Sequence, residues 1–278
     1  MERSRSLAMP MAVVAALIVV VLGAWYALTQ RTDPQPSPVA TAPQAAPAPA
    51  PAAPTEPAVA HPLPGLVPEA AMAAPVEPSP DALAAFQRDL AALGDAGVLA
   101  RFIDPASIVR RVVSTVDNLA SDELPMRARA VNATPGAFGV QRQGETLVVD
   151  PANARRYEPF VAWVESIDTK RAVDLYVRHY ALFQGEYRGQ GSPNRYFNDR
   201  LVAAIDHLLA TPEPAGAIGL VQPKVQYRHA DPALESLSAG QKALLRTGPQ
   251  NVARLKARLR ALRAEVAKQG GAVAGASR

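Results

Sequence analysis

Fifteen of the chain's 27 prolines fall between Pro34 and Pro80, and they decide how much of the molecule can fold. Proline fixes φ and removes a backbone donor, and alanine is the commonest other residue of this stretch, with Ala-Pro alternation from Ala46 to Pro54. Such a segment cannot bury enough apolar surface to offset the entropy of ordering it. Residues 29–80 therefore read as a disordered tether. Extended as polyproline II the tether would reach ~145 Å, and as flexible coil ~40 Å. Roughly two hundred residues remain for a folded domain, enough for one sizeable core.

Upstream of the tether, Leu7 to Leu28 is a run without charge that includes Val13, Val14, Leu17, Ile18, Val19, Val20, Val21 and Leu22. At ~1.5 Å per residue a helix over residues 7–28 spans a ~30 Å hydrocarbon layer. Trp25 and Tyr26 stand near its exit, where amphipathic rings favour the membrane interface. Arg3 and Arg5 precede the run, only Arg31 follows closely, and residues 34–80 hold no Lys or Arg. That asymmetry predicts a cytoplasmic tip (residues 1–6), a single inner-membrane anchor (7–28) and a periplasmic remainder. A cleaved signal peptide would need a shorter apolar core and small residues just past it; the nearest good pair, Ala40 and Ala42, lies too far downstream.

The chain has no cysteine, which excludes disulfides, thiolate metal sites and a cysteine nucleophile. Residues 81–278 carry 26 basic and 20 acidic side chains. An excess of that size is not the charge density of a nucleic-acid binder, so no nucleic-acid partner is expected.

The predicted fold is mainly α, a compact helical domain over residues 81–269 with one small β-hairpin, followed by a flexible tail (270–278). Leu83, Phe86, Leu90 and Leu93 mark a first amphipathic helix, and Ile108, Val112, Val116 and Leu119 a second. Asp-Pro pairs at Asp104, Asp150 and Asp231 place a capping side chain before a residue preorganised for the first helical turn. The alternation at Phe138 and Val140, the turn Arg142-Gln143-Gly144 and the run Thr146 to Val149 predict the hairpin. Further helices are expected at 154–167, 169–187 and 194–210, then an irregular segment from Thr211 to Arg228 with one short strand at Ile218 to Val221. Ser238 through Gln241 has the spacing of a capping box. A last helix should start near Pro249 and fade at Gly270.

No P-loop, dinucleotide fingerprint, zinc-protease pattern, GxSxG elbow or SxxK pair occurs in the sequence, which disfavours the common motif-bearing enzymes. The histidines show no metal-ligand spacing, so neither metal nor cofactor is expected. The weak catalytic candidates are Glu186, Asp199, Asp206 and His207, because paired carboxylates can divide acid and base roles in glycoside cleavage. Asp199 and Asp206, however, lie ~10.5 Å apart along a helix axis and face away from the Phe197, Leu201, Ile205, Leu208 stripe, as a solvated or ion-paired face would.

Val173, Tyr176, Tyr180, Phe183 and Tyr187 share one helical face. Such a stripe is usually core; its alternative is a groove in which Tyr176, Tyr180 and Tyr187 stack on sugar rings or clasp a peptide. In the last helix, Val252, Leu255, Leu259, Leu262 and Val266 form a narrow seam flanked by basic residues including Lys256, Arg260 and Arg263. Packing on the parent domain, docking to an acidic or lipid partner, and self-association through residues 249–269 are the alternatives.

The segments IVRRVVSTVDN (Ile108–Asn118), DPANARRYEP (Asp150–Pro159) and the run from Ser192 to Leu262, beginning SPNRYFNDRLVAAIDHLL, resemble a bacterial family known only as domain of unknown function 3014. The likeness covers roughly residues 85–265 and extends to the anchor-and-tether arrangement. It implies a membrane-anchored envelope protein and carries no catalytic residue across. The expectation is a tethered periplasmic binding or scaffold module with an envelope protein or peptidoglycan as partner; the alternative is a cell-wall-active enzyme of unfamiliar type.

Overall fold

The computed structural model describes residues 59–63, 79–93 and 95–276. The predicted anchor, 7–28, lies outside them, and among the described residues no helix is long and apolar enough to cross a membrane. The described chain is mainly helical with a small antiparallel sheet.

Helix α1 (Pro80–Ala91) begins where the proline-rich composition ends. Ser79 caps it by accepting from the Ala82 amide, and Phe86 and Leu90 are buried. A helix that periodicity missed, α2 (Ala96–Phe102), is capped by Asp95, which accepts from the Val98 amide. Helix α3 (Ile108–Asn118) buries Ile108, Val112 and Val116, as its apolar spacing requires.

Only one of the three Asp-Pro pairs caps a helix directly. Asp231 does so for the short α8 (Pro232–Glu235). Asp104 instead accepts from the Ala106 amide and the Ser107 hydroxyl, and Asp150 from the Ala152 amide. Each closes a side-chain turn that delays its helix by about a turn, so α3 begins at Ile108 and α4 (Asn153–Ser166) at Asn153.

The hairpin forms as predicted, with β1 (Val140–Gln143) antiparallel to β2 (Thr146–Val149), Val140 opposite Val149. Gly144 takes a φ of 59° in the turn, a left-handed value that suits a two-residue hairpin loop. The sheet then grows beyond the prediction. Strand β3 (Gly219–Val221) pairs with β2, and β4 (Arg228–His229) pairs with β3, giving the order β1-β2-β3-β4.

The expected single helix over 169–187 is two, α5 (Thr169–Arg178) and α6 (Tyr180–Gly189). His179 between them leaves helical geometry at φ −106°, ψ 18°, its ring 2.9 Å from the Asp89 carboxylate and edge-on to Phe86. No proline or glycine marks the break, so the hydrophobic period runs through it unaltered. Helix α7 (Phe197–Leu209) follows, then α9 (Ala239–Leu245), whose capping box at Ser238 and Gln241 is present in full.

The last helix, α10, runs Pro249–Ala276 and continues past the fade expected at Gly270. It packs against α4, α5 and α7, while α3 packs on α6 and α7 and α1 on α5. Its seam of Val252, Leu255, Leu259, Leu262 and Val266 is at most 2% exposed. The domain's own core thus covers the face that self-association through residues 249–269 would need.

Candidate functional site

The tyrosine stripe is core. Tyr176, Tyr180, Phe183 and Tyr187 are each 1% exposed; Tyr176 meets Tyr180 and Phe183 edge to face, Phe183 stacks on Phe197, and Tyr187 packs on Phe197 at a tilt. Their rings present no open face on which a sugar or peptide could stack. Their hydroxyls matter for a different reason. Tyr180 donates to Gln184 Oε1 at 2.7 Å and accepts from the Asn198 amide at 3.1 Å, and Gln184 Oε1 also accepts from the Phe197 amide at 2.8 Å. The first turn of α7 carries backbone donors with no intrahelical partner, and here α6 satisfies two of them. Burial pushes the Tyr176 and Tyr180 hydroxyls far above the ordinary phenol range, so both stay protonated hydrogen-bond donors. Tyr176 uses its proton on Asn198 Oδ1 at 3.1 Å.

This network fixes a side-chain pair at the start of α7 that holds another part of the chain. Within the stretch read as tether, residues 59–63 lie against the domain. The Asp199 carboxylate accepts the amides of Ala60 and His61, at 3.0 and 2.7 Å. Asn198 Nδ2 donates to the His61 carbonyl at 2.8 Å, and the Tyr196 hydroxyl accepts the Leu63 amide at 3.0 Å. Leu63 itself is 1% exposed and belongs to the main hydrophobic core. Pro62, which has no amide to offer, sits between the two contacts. This strap is bound through its backbone and the Leu63 side chain, with Val59 half-buried against the same core.

The four catalytic candidates do not meet. Asp199 holds the strap. Asp206, exposed two turns along α7, is paired with Arg263 at 3.0 Å. Glu186 on α6 accepts from Gln190 at 2.8 Å. His207 contacts the Ser238 hydroxyl at 2.8 Å; burial, helped by Arg200, lowers its pKa. Each of the four groups is thus engaged by a different partner. Among the described residues, no group of three or more His, Asp or Glu side chains could hold a metal ion.

The basic flank of α10 is likewise occupied in large part. Lys256, 4% exposed, donates to the Thr211 carbonyl and to Glu213, both at 2.6 Å. Arg254 pairs with Glu158 and Glu165, and Arg258 donates to the Ile167 carbonyl and Thr169. Arg260 remains on the exposed side. These cations pin the long helix to α4, α5 and the loop after α7, and only part of the predicted basic surface faces outward.

A cavity of about 390 Å³ opens between the end of β2, the start of α4, the 213–218 loop and the start of α10. Its walls are largely alanine, proline, valine, isoleucine and leucine, and none of the sequence-derived candidates lines it. The buried Arg246 guanidinium lies on its wall, its pKa drawn down to about 10 by burial. Asp150 and Asn153 are tied to the local backbone and Glu213 to Lys256.

Fold and site together define a helical domain that grips a short bent chain segment at the start of one helix. The family model described as a protein of unknown function (DUF3014) matches residues 108–263. The chain belongs to that family. The match runs from α3 into α10 and includes Tyr196, Asn198 and Asp199, while the strap and α1 lie outside it. No curated protein and no solved structure matches the chain.

Proposed function

We propose that this protein is a binding module of the bacterial cell envelope, anchored in the inner membrane by residues 7–28 and carrying its helical domain into the periplasm on a proline-rich tether. The observation that carries the binding role is the grip on residues 59–63, where backbone donors and acceptors are matched by Tyr196, Asn198 and Asp199. Support for the anchor and its direction comes from the charge-free run and the Lys/Arg-free stretch that follows. The scattered commitments of Glu186, Asp199, Asp206 and His207 count against the cell-wall-active enzyme. A protein partner fits better than a glycan, because the tyrosines that would have stacked on sugar are buried.

Topology is the direct test. Alkaline phosphatase fused after Arg278 should be active in cells, and the protein should stay in the membrane pellet after carbonate washing until residues 1–33 are deleted. An inactive phosphatase fusion alongside an active β-galactosidase fusion would place the domain in the cytoplasm and end the envelope reading.

A further inference from the structure

We infer that the recess formed by Tyr196, Asn198 and Asp199 is a peptide-binding site for a short bent segment of a protein partner carrying an aliphatic anchor, and that residues 59–63 occupy it as an intramolecular competitor. This rests on the binding-module reading and names the partner's chemistry.

The strap shows what the recess recognises. Two consecutive amides meet one carboxylate, the carbonyl of the second residue meets an amide, and two positions on a further amide meets a phenol oxygen. The only fully buried side chain of the five belongs to Leu63. Ala60 is exposed, and His61 and Pro62 are half-buried. The contacts therefore specify a bend at the two consecutive amides and one fully buried leucine-sized side chain, with Val59 half-buried against the same core.

Two of the three recognising residues, Asn198 and Tyr196, are also held by the domain itself. Asn198, 1% exposed, is fixed by the Tyr176 hydroxyl from α5 and the Tyr180 hydroxyl from α6. Tyr196, 5% exposed, packs on the Tyr180 ring at a centroid distance of 5.4 Å. These contacts to the domain fix Asn198 and Tyr196 independently of the strap, which lowers the entropy cost of binding. The recess lies inside the family-matched span, and the strap lies outside.

A competitor joined to the domain by the sixteen-residue connection 64–79 acts at an effective concentration on the order of 1 mM. If the free segment binds at ~100 µM, the attached one weakens an incoming peptide by about tenfold. A partner must therefore present a better anchor or several contacts.

The experiment uses the full-length protein in mild detergent and a fluorescent peptide with the sequence of residues 57–65, read by anisotropy. The double substitution Ala60→Pro with His61→Pro removes both amides that Asp199 accepts and leaves the recess intact. It should bind the peptide about tenfold more tightly than the wild type, and adding Asp199→Ala should abolish the gain. A peptide with aspartate in the leucine position should not bind. Should the proline pair lower helical circular dichroism, Leu63→Ser displaces the strap by another route. Equal binding or no binding in wild type and strap variants, or a gain that survives Asp199→Ala, would overturn the site. So would wild-type dimers lost on Asp199→Ala, which would assign the recess to a second copy. Failure of the phosphatase fusion leaves this result untouched, and failure of the peptide leaves the anchor untouched.

Discussion

Asp199 shows what a local pattern can and cannot reveal. Its orientation away from the apolar stripe of α7 follows from helical spacing. Its partners lie 138 and 139 positions upstream, in a stretch whose composition reads as tether, and no periodicity links the two. Asn198 is similar: a buried amide in a helical first turn signals a constraint without naming it. Gly240 gives the sharpest prediction at this scale. A Cβ there would lie 2.7 Å from the Leu119 carbonyl oxygen, a backbone atom to which the Gly240 amide donates at 3.0 Å. Gly240→Ala must push α9 off α3 and should cost about 1–3 kcal/mol, seen as a lower urea midpoint with unchanged slope. Asn198→Leu strands the buried Tyr176 hydroxyl and should cost a similar ~1–3 kcal/mol, with faster amide exchange at residues 60–63.

Among elements, sequence signals succeeded where the chemistry is local. The Ser238 to Gln241 capping box and the hairpin turn at Gly144 both depend on residues within four positions of one another. They failed where the deciding partner is remote. The break at His179 coincides with contacts to Asp89 and Phe86 on α1, and β4 is a strand only because Leu220 stands opposite His229. Two residues of such a strand have no alternation to read. Ser238 links α9 to α7, since its hydroxyl serves both the Gln241 amide and His207. Ser238→Ala should therefore exceed an isolated cap and lower stability by about 1–2 kcal/mol, measured by thermal melting.

For the whole domain, burial of ionisable groups sets a pH dependence. Burial, with Arg200 adding to it, lowers His207, and burial, with Arg246 adding to it, lowers His229; Glu235 opposes the second shift without cancelling it. Both rings resist protonation when folded and accept it at the ordinary value of 6.5 when unfolded. Their contribution is full above that value and is lost as pH falls through the lowered folded values. The urea midpoint should be flat from pH 8 to 7 and decline below 6.5, and His229→Gln should shrink the decline. The mainly helical class was legible at this scale because amphipathic spacing repeats from α1 to α10. Docking of residues 59–63 was not, because proline-rich composition describes what a segment cannot do alone and is silent about what it can lie against.

That docking also decides how a pull would travel through the molecule. Any tension in the chain preceding Val59 reaches the domain first at four hydrogen bonds, two of them from amides to the Asp199 carboxylate, and at one buried leucine, and only after these yield does it arrive at Pro80. Release would lengthen the slack between the two attachment points by the sixteen residues 64–79, ~50 Å if fully drawn out, while the helices behind α1 carry no load until that slack is spent. Under such a pull Tyr196, Asn198 and Asp199 would be uncovered before the core deformed.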